Sequence, residues 1–157
     1  MGKGLGLKQD GTHVAFVGGT GVLVFMDLVA YLLRQNLGLI EEKSPLSGST
    51  FKFVLYASFP SRKEALGLDL LEGLFNVTKA LGLSNFHLEL RFSSENRLSR
   101  GNRWDRDFII RNIEIWDKED FAKGYVCGPP PMNELFDRTI DSLIQQRQLQ
   151  PLKFEVL

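Results

Sequence analysis

The stretch that most restricts the fold is "HVAFVGGTGVLVFMDLVAYLLRQNLG", residues 13 to 38. Its first six residues form a short, β-favouring apolar run that stops at Gly18-Gly19, and an almost wholly apolar segment from Gly21 to Arg34 follows. A strand without polar interruptions is expected to be covered on both faces, and a helix apolar on nearly every side is expected to be buried. The pair therefore reads as a central strand feeding a central helix through a glycine turn, with Gly38 after "RQNL" as the stop.

The same element types recur along the chain. "IEEKSPLSGST" carries turn chemistry and reads as a surface loop before a second strand, "FKFVLYAS", residues 51 to 58. A helix is expected from about Lys63 to Leu81, with Leu66, Leu70, Leu71, Leu74, Phe75 and Val77 as its apolar stripe and Gly82 as its stop. Gly67 and Gly73 weaken its first half. "FHLELRF", residues 86 to 92, alternates apolar and polar and reads as a third, less buried strand. An arginine-rich loop, an amphipathic piece around "DFIIRNIEIW", a fourth strand "GYVCG", a helix from about Pro131 to Arg147 and a last strand in "LKFEVL" complete the chain. Strands separated by helices imply parallel pairing through right-handed crossovers. The expected fold is α/β: an open, mostly parallel, five-stranded Rossmann-like sheet with helices on both faces.

Composition narrows the function classes. A chain of 157 residues suits one domain, and 19 Lys plus Arg balance 19 Asp plus Glu, so no overall field drives it toward nucleic acid or a membrane surface. One cysteine cannot form an internal disulfide, and with only His13 and His87 a zinc site of the usual Cys/His kind is out of reach; no metal is expected. Both histidines read as ordinary strand residues. The most apolar stretch, "GVLVFMDLVAYLL", is short of the ~20 residues that span a bilayer and holds Asp27, so a soluble, cytoplasmic chain without a targeting segment is expected. Six arginines lie between Arg91 and Arg111 against Glu95, Asp105 and Asp107. That loop reads as solvated, because Phe92, Trp104 and Phe108 are too few to stack a nucleic-acid strand, and Trp104 and Trp116 read as packing residues.

In open α/β sheets ligands sit outside the carboxyl ends of the central strands. Two segments there meet that description by carrying glycine: "GGTG" after the first strand and "CGPPP" after the fourth. Gly18, Gly19, Thr20 and Gly21 allow a sharp turn and close approach, Thr20 offers an N-cap or a phosphate donor, and the helix start favours an anion such as a pyrophosphate. Close packing of strand on helix would select the same glycines. Neither the G-x-G-x-x-G pattern nor the triphosphate-binding G-x-x-x-x-G-K-[ST] pattern is present.

"GGTGVLVF" after a strand, "YVCGPPPM" about 105 residues later and a closing strand together resemble the nicotinamide-nucleotide domain of the ferredoxin–NADP reductase superfamily, which includes cytochrome b5 reductases, ferric reductases and NADPH oxidases. The resemblance implies pyrophosphate contact at Gly19, Thr20 and Gly21. It also implies placement of Cys127, Gly128 and Pro129 beside the nicotinamide, where a small polarizable thiol forms a wall for the ring. It further implies hydride transfer from NAD(P)H to a flavin, which demands alignment of two rings rather than a strong acid or base.

"MGKGLGL" resembles the glycine-rich connection from the flavin domain, so residues 1–12 are expected to end that connection and 13–157 to form the nucleotide domain. An FAD-binding domain is then the expected partner, carried by the same parent chain or another subunit, and any membrane attachment would come through other parts of the parent. The chain departs from the family pattern at Val24, where proline is usual, and at "FEVL", where many members end in an aromatic residue and Phe154 is the nearest counterpart. Those departures leave open a non-catalytic scaffold or regulatory module of the same fold. The second strand ends "YASFPSRKE", without an acid for ribose hydroxyls, so Ser58, Ser61 and Arg62 suit a 2′-phosphate better. Ser93 and Arg97 after the third strand match positions the family uses for that phosphate. NADP is expected over NAD.

Overall fold

The computed structural model describes residues 11–39, 51–93, 104–117, 121–146 and 154–157. In order, the elements are β1 (Thr12–Gly18), a 3-10 segment (Gly19–Phe25), α1 (Met26–Asn36), β2 (Lys52–Phe59), a short 3-10 turn (Arg62–Glu64), α2 (Leu68–Ala80), β3 (Phe86–Phe92), α3 (Arg106–Asp117), β4 (Phe121–Cys127), α4 (Pro130–Gln145) and β5 (Phe154–Val156). The strands form one sheet in the order β3-β2-β1-β4-β5, and all four pairings are parallel. The alternation of strand and helix thus produces the expected doubly wound sheet.

Every residue of β1 is buried, because a helix pair covers each face. Ala15, Val17, Phe53, Leu55 and Tyr125 pack under Phe25, Leu28 and Leu32 of the α1 region and Leu71 and Leu74 of α2. Val14, Phe16, Val54, Tyr56 and Val126 pack on the opposite face, under Phe108 and Ile109 of α3 and Phe136, Ile140 and Leu143 of α4. Phe16 stacks on Tyr56 at 4.8 Å and tilts against Phe136 at 5.0 Å. β3, at the sheet edge, alternates buried and more accessible residues, as its pattern requires.

The helix ends follow local chemistry. α1 and α2 each close with a glycine in the left-handed region, Gly38 at φ 74 and Gly82 at φ 66. The next amide bonds back to Arg34 and Thr78 respectively, so orphan carbonyls are satisfied. Asn36 donates to Thr78 at 3.1 Å and to Asn85 at 3.0 Å, tying the ends of both helices to the approach of β3. The Asp105 carboxylate accepts from the Phe108 amide at 2.9 Å and caps α3. α4 opens on Pro130 and Pro131, in a first turn that needs no N–H partner.

Two expectations are corrected. The segment after β1 is not one buried helix: its first turns are 3-10, and Leu23 and Val24 are 55% and 43% exposed. The second helix begins only at Leu68, because Gly67 takes φ 67 directly over the Met26 thioether and interrupts the run from Lys63. Among the described residues no helix is long and apolar enough to cross a membrane, and no cluster of three or more His, Cys, Asp or Glu is gathered as for a metal ion.

Candidate functional site

β1 lies between β2 and β4, and the chain winds outward from it in both directions, so the sheet's switch point falls between β1 and β4. Crevices at carboxyl strand ends form there, because the two crossovers leave in opposite directions. One transverse row lies at this edge: Gly18 of β1 pairs with Ser58 of β2, which pairs with Arg91 of β3. In-register neighbours share a face, and this row shares the face of Phe16 and Tyr56, under α3 and α4. Pro129, Met132 and Trp104 line the space beside it, a cleft of about 350 Å³. Gly19, Phe59, Pro60 and Ser93 complete the lining.

The two glycine loops interlock beside this cleft. A side-chain carbon on Gly21 would run into the carbonyl group of Cys127 and lie 3.2 Å from the amide of Gly128. One on Gly18 would lie 2.8 Å from the Met132 sulfur and 3.1 Å from Pro129, and one on Gly128 would collide with Met132. These three glycines let the turn after β1 approach the turn after β4. Gly19 differs: it holds φ 54 with nothing within 4 Å of where a side chain would start, so it is open to the cleft. Gly128 is also held by its amide, which donates to Asn133 Oδ1 at 2.9 Å.

The expected site residues do not all fall in one place. Gly18, Gly19, Ser58, Ser93 and Pro129 line the cleft together. Cys127, Gly21 and Gly128 meet just beyond it. The Cys127 side chain packs with Val17 and Tyr125 on the α1/α2 face, so the thiol lies across the sheet from the Arg91 row. Burial pushes its pKa up. Thr20 is exposed and is not the N-cap, because Gly18 takes that position. Ser61 and Arg62 stand apart from the cleft lining: Ser61 donates to Glu64 at 3.1 Å, and Arg62 pairs with Glu72 at 2.6 Å. Arg97 and the side chain of Phe154 lie outside the described residues.

Sequence reasoning missed Arg91 and Trp104. Arg91 shares the parity of His87 and Glu89 in "FHLELRF" and sits one residue from the carboxyl end of its strand, a signal that the alternation carried. Trp104 does pack, stacking on Phe108 with ring centres 5.9 Å apart, yet it also walls the cleft.

No protein-family model matches the sequence, and no curated protein matches it at a significant level. Solved structures do match in fold. The cytochrome b5 reductase domain of Ulva prolifera nitrate reductase superposes with a TM-score of 0.58 at 14% identity, over 95% of this chain and 49% of that one. The CS-b5R domains of human Ncb5or, in the NAD+ form, give 0.66 at 16% identity over 99% of this chain and 39% of that one. The H286K mutant of ferredoxin–NADP+ reductase from Plasmodium falciparum, in complex with 2′P-AMP, gives 0.60 at 15% identity over 94% and 53%. The chain spans about half the length of these proteins or less. Its fold is that of the NAD(P)-binding domain of cytochrome b5 and ferredoxin–NADP reductases.

Proposed function

We propose that this chain is the nicotinamide-nucleotide-binding domain of a flavoprotein oxidoreductase, taking NADPH in preference to NADH and working with an FAD-binding partner domain. The observation that carries this reading is the interlock of the two glycine loops at the β1–β4 switch point, beside a cleft of about 350 Å³. That volume lies at the low end of the ~300–1,000 Å³ range of small-molecule sites, and it suits one mononucleotide half of a dinucleotide. Gly19, open and positively twisted, and exposed Thr20 offer backbone and hydroxyl donors to a pyrophosphate crossing the sheet edge. Beyond them, Cys127, Gly128 and Pro129 would wall the nicotinamide.

Nicotinamide and flavin, when bound, supply the hydride chemistry themselves. The chain's own task is alignment. Gly21 and Gly128 permit the close approach that sets the two loops relative to each other, and Asn133 fixes the Gly128 amide. Cys127, with its pKa raised by burial, stays a neutral thiol and serves as a soft wall rather than a base or nucleophile. Ser58 at the end of β2 and Ser93 after β3 present hydroxyls where an NAD-selective site would carry an acid.

Fusing the chain to a flavin-binding barrel of the reductase type tests the reading. Flavin bleaching on anaerobic addition of NADPH is expected, and Cys127→Ala should slow that step far more than it weakens nucleotide binding. An assembled, flavin-loaded fusion that stays oxidised would overturn the catalytic reading and leave a non-catalytic module of the same fold.

A further inference from the structure

Met132 places a sulfur where any change in its size or polarity acts on both glycine turns at once. It stands in the first turn of α4, half-buried, and lines the cleft. Its sulfur lies 2.8 Å from where a side chain on Gly18 would begin and coincides with the space one on Gly128 would need; its terminal methyl is 3.3 Å from that second point. On this side the thioether rests on bare backbone, with no room for a further atom. The space it borders is the cleft.

The sulfurs nearby differ in what shields them. Cys127 reacts as a thiolate, and burial disfavours that form. A thioether carries no proton to lose, so solvent access decides whether it is oxidised. The Met26 thioether packs against Gly67 at the start of α2, 2.8 Å from where a side chain there would begin, and takes no part in the cleft lining. Met132 is thus the thioether that a small oxidant entering the cleft meets.

We infer that Met132 is an oxidation site that gates the cleft: a hydroperoxide converts it to the sulfoxide, and the sulfoxide excludes the nucleotide. The sulfur lone pair attacks one peroxide oxygen, an S–O bond forms and the O–O bond breaks. Sulfur loses two electrons, and the transferred hydroxyl gives its proton to the departing hydroxide, which leaves as water. With glycine backbone on one side, the new oxygen stands on the cleft side, or the side chain leaves its seat and swings into the same space. The change is reversible, since sulfoxides are reduced enzymatically. The gate rests on the reading that the cleft binds a nicotinamide nucleotide.

The test titrates the intact chain, M132L, M26L and C127A with NADP+ by calorimetry before and after one exposure to hydrogen peroxide, with oxidised residues mapped by peptide mass spectrometry. Each protein is compared with itself. Wild type, M26L and C127A should each lose about tenfold in affinity, as expected of an added atom in a packed site, and M132L should lose none. Methionine sulfoxide reductase should reverse the loss. Saturating NADP+ during exposure should slow oxidation of Met132 and leave that of Met26 unchanged. If M132L binds too weakly to titrate, that protection and the reductase recovery decide in wild type alone. Unchanged affinity with Met132 fully oxidised, an equal loss in M132L, a loss abolished in C127A, a loss the reductase does not reverse, or no protection by NADP+ would overturn the gate while leaving the nucleotide reading intact. Failure of untreated wild type to bind NADP+ would overturn both.

Discussion

Replacing Gly21 by alanine tests whether the glycine turn is built for close approach. The new carbon would meet the Cys127 carbonyl carbon at 2.7 Å and the Gly128 amide at 3.2 Å, and it would also strike the Cys127 carbonyl oxygen. All of these are backbone atoms of neighbouring β4 and its exit, so no side chain can rotate away. Overpacking of this kind costs up to ~3 kcal/mol, and the helix preference of alanine over glycine returns at most ~1 kcal/mol. The net loss is ~2 kcal/mol. For a chain of 157 residues that corresponds to a drop of ~4–8 °C in melting temperature.

Gly73→Ala is the matched control. It sits in α2 with nothing within 4 Å of the added carbon, and should stabilise by ~0.5–1 kcal/mol. Urea unfolding of both variants, followed by far-UV circular dichroism, gives the comparison. Equal effects at the two positions would refute the close-approach argument and restore the view that any residue could stand at 21.

Further consequences can be read separately. Cys127 should react with an alkylating reagent much more slowly at pH 7.5 than a free thiol does, with the rate still rising above the ordinary thiol range; rapid modification at neutral pH would contradict its buried placement. Burial also holds the Tyr125 hydroxyl well above the usual phenol range. Both pKa values are raised on folding, so stability is full below about pH 8.5 and falls as pH rises beyond it, because the unfolded chain ionises first. Tyr125→Phe should remove the part of that decline above about pH 10, and an identical urea-midpoint profile in the variant would count against it. Asn133→Ala removes the partner of the Gly128 amide at ~1 kcal/mol and should speed hydrogen exchange there about fivefold. Unchanged exchange would mean that the loop is held by its prolines alone.

Much of the fold was legible because its signals are local. An apolar run ending in glycine marked β1, an apolar run after turn-forming residues marked β2, the period of two marked β3, and Gly38 and Gly82 marked the helix stops. What escaped depends on distant neighbours. Within the 3-10 opening after β1, Gly21 lies against a carbonyl more than a hundred residues away, at Cys127. Gly67 breaks its helix over Met26, a partner from another helix. At the site, serines at strand ends were readable, since a strand's carboxyl end is a local feature. The surroundings of Arg62 and Arg91 were not: they turn on an ion pair between Arg62 and Glu72 and on the Trp104 and Phe108 rings, which come against Arg91 from the chain beyond β3.

The central claim is that the carboxyl edge around β1 binds a nicotinamide nucleotide. Its most direct test is an NADPH titration of the 15N-labelled chain by amide and indole chemical shifts. Saturable perturbations confined to Gly19, Thr20, Ser58, Ser93, the Trp104 indole and the Cys127–Gly128 turn are predicted. A folded chain whose spectrum does not move there at millimolar NADPH would contradict the account.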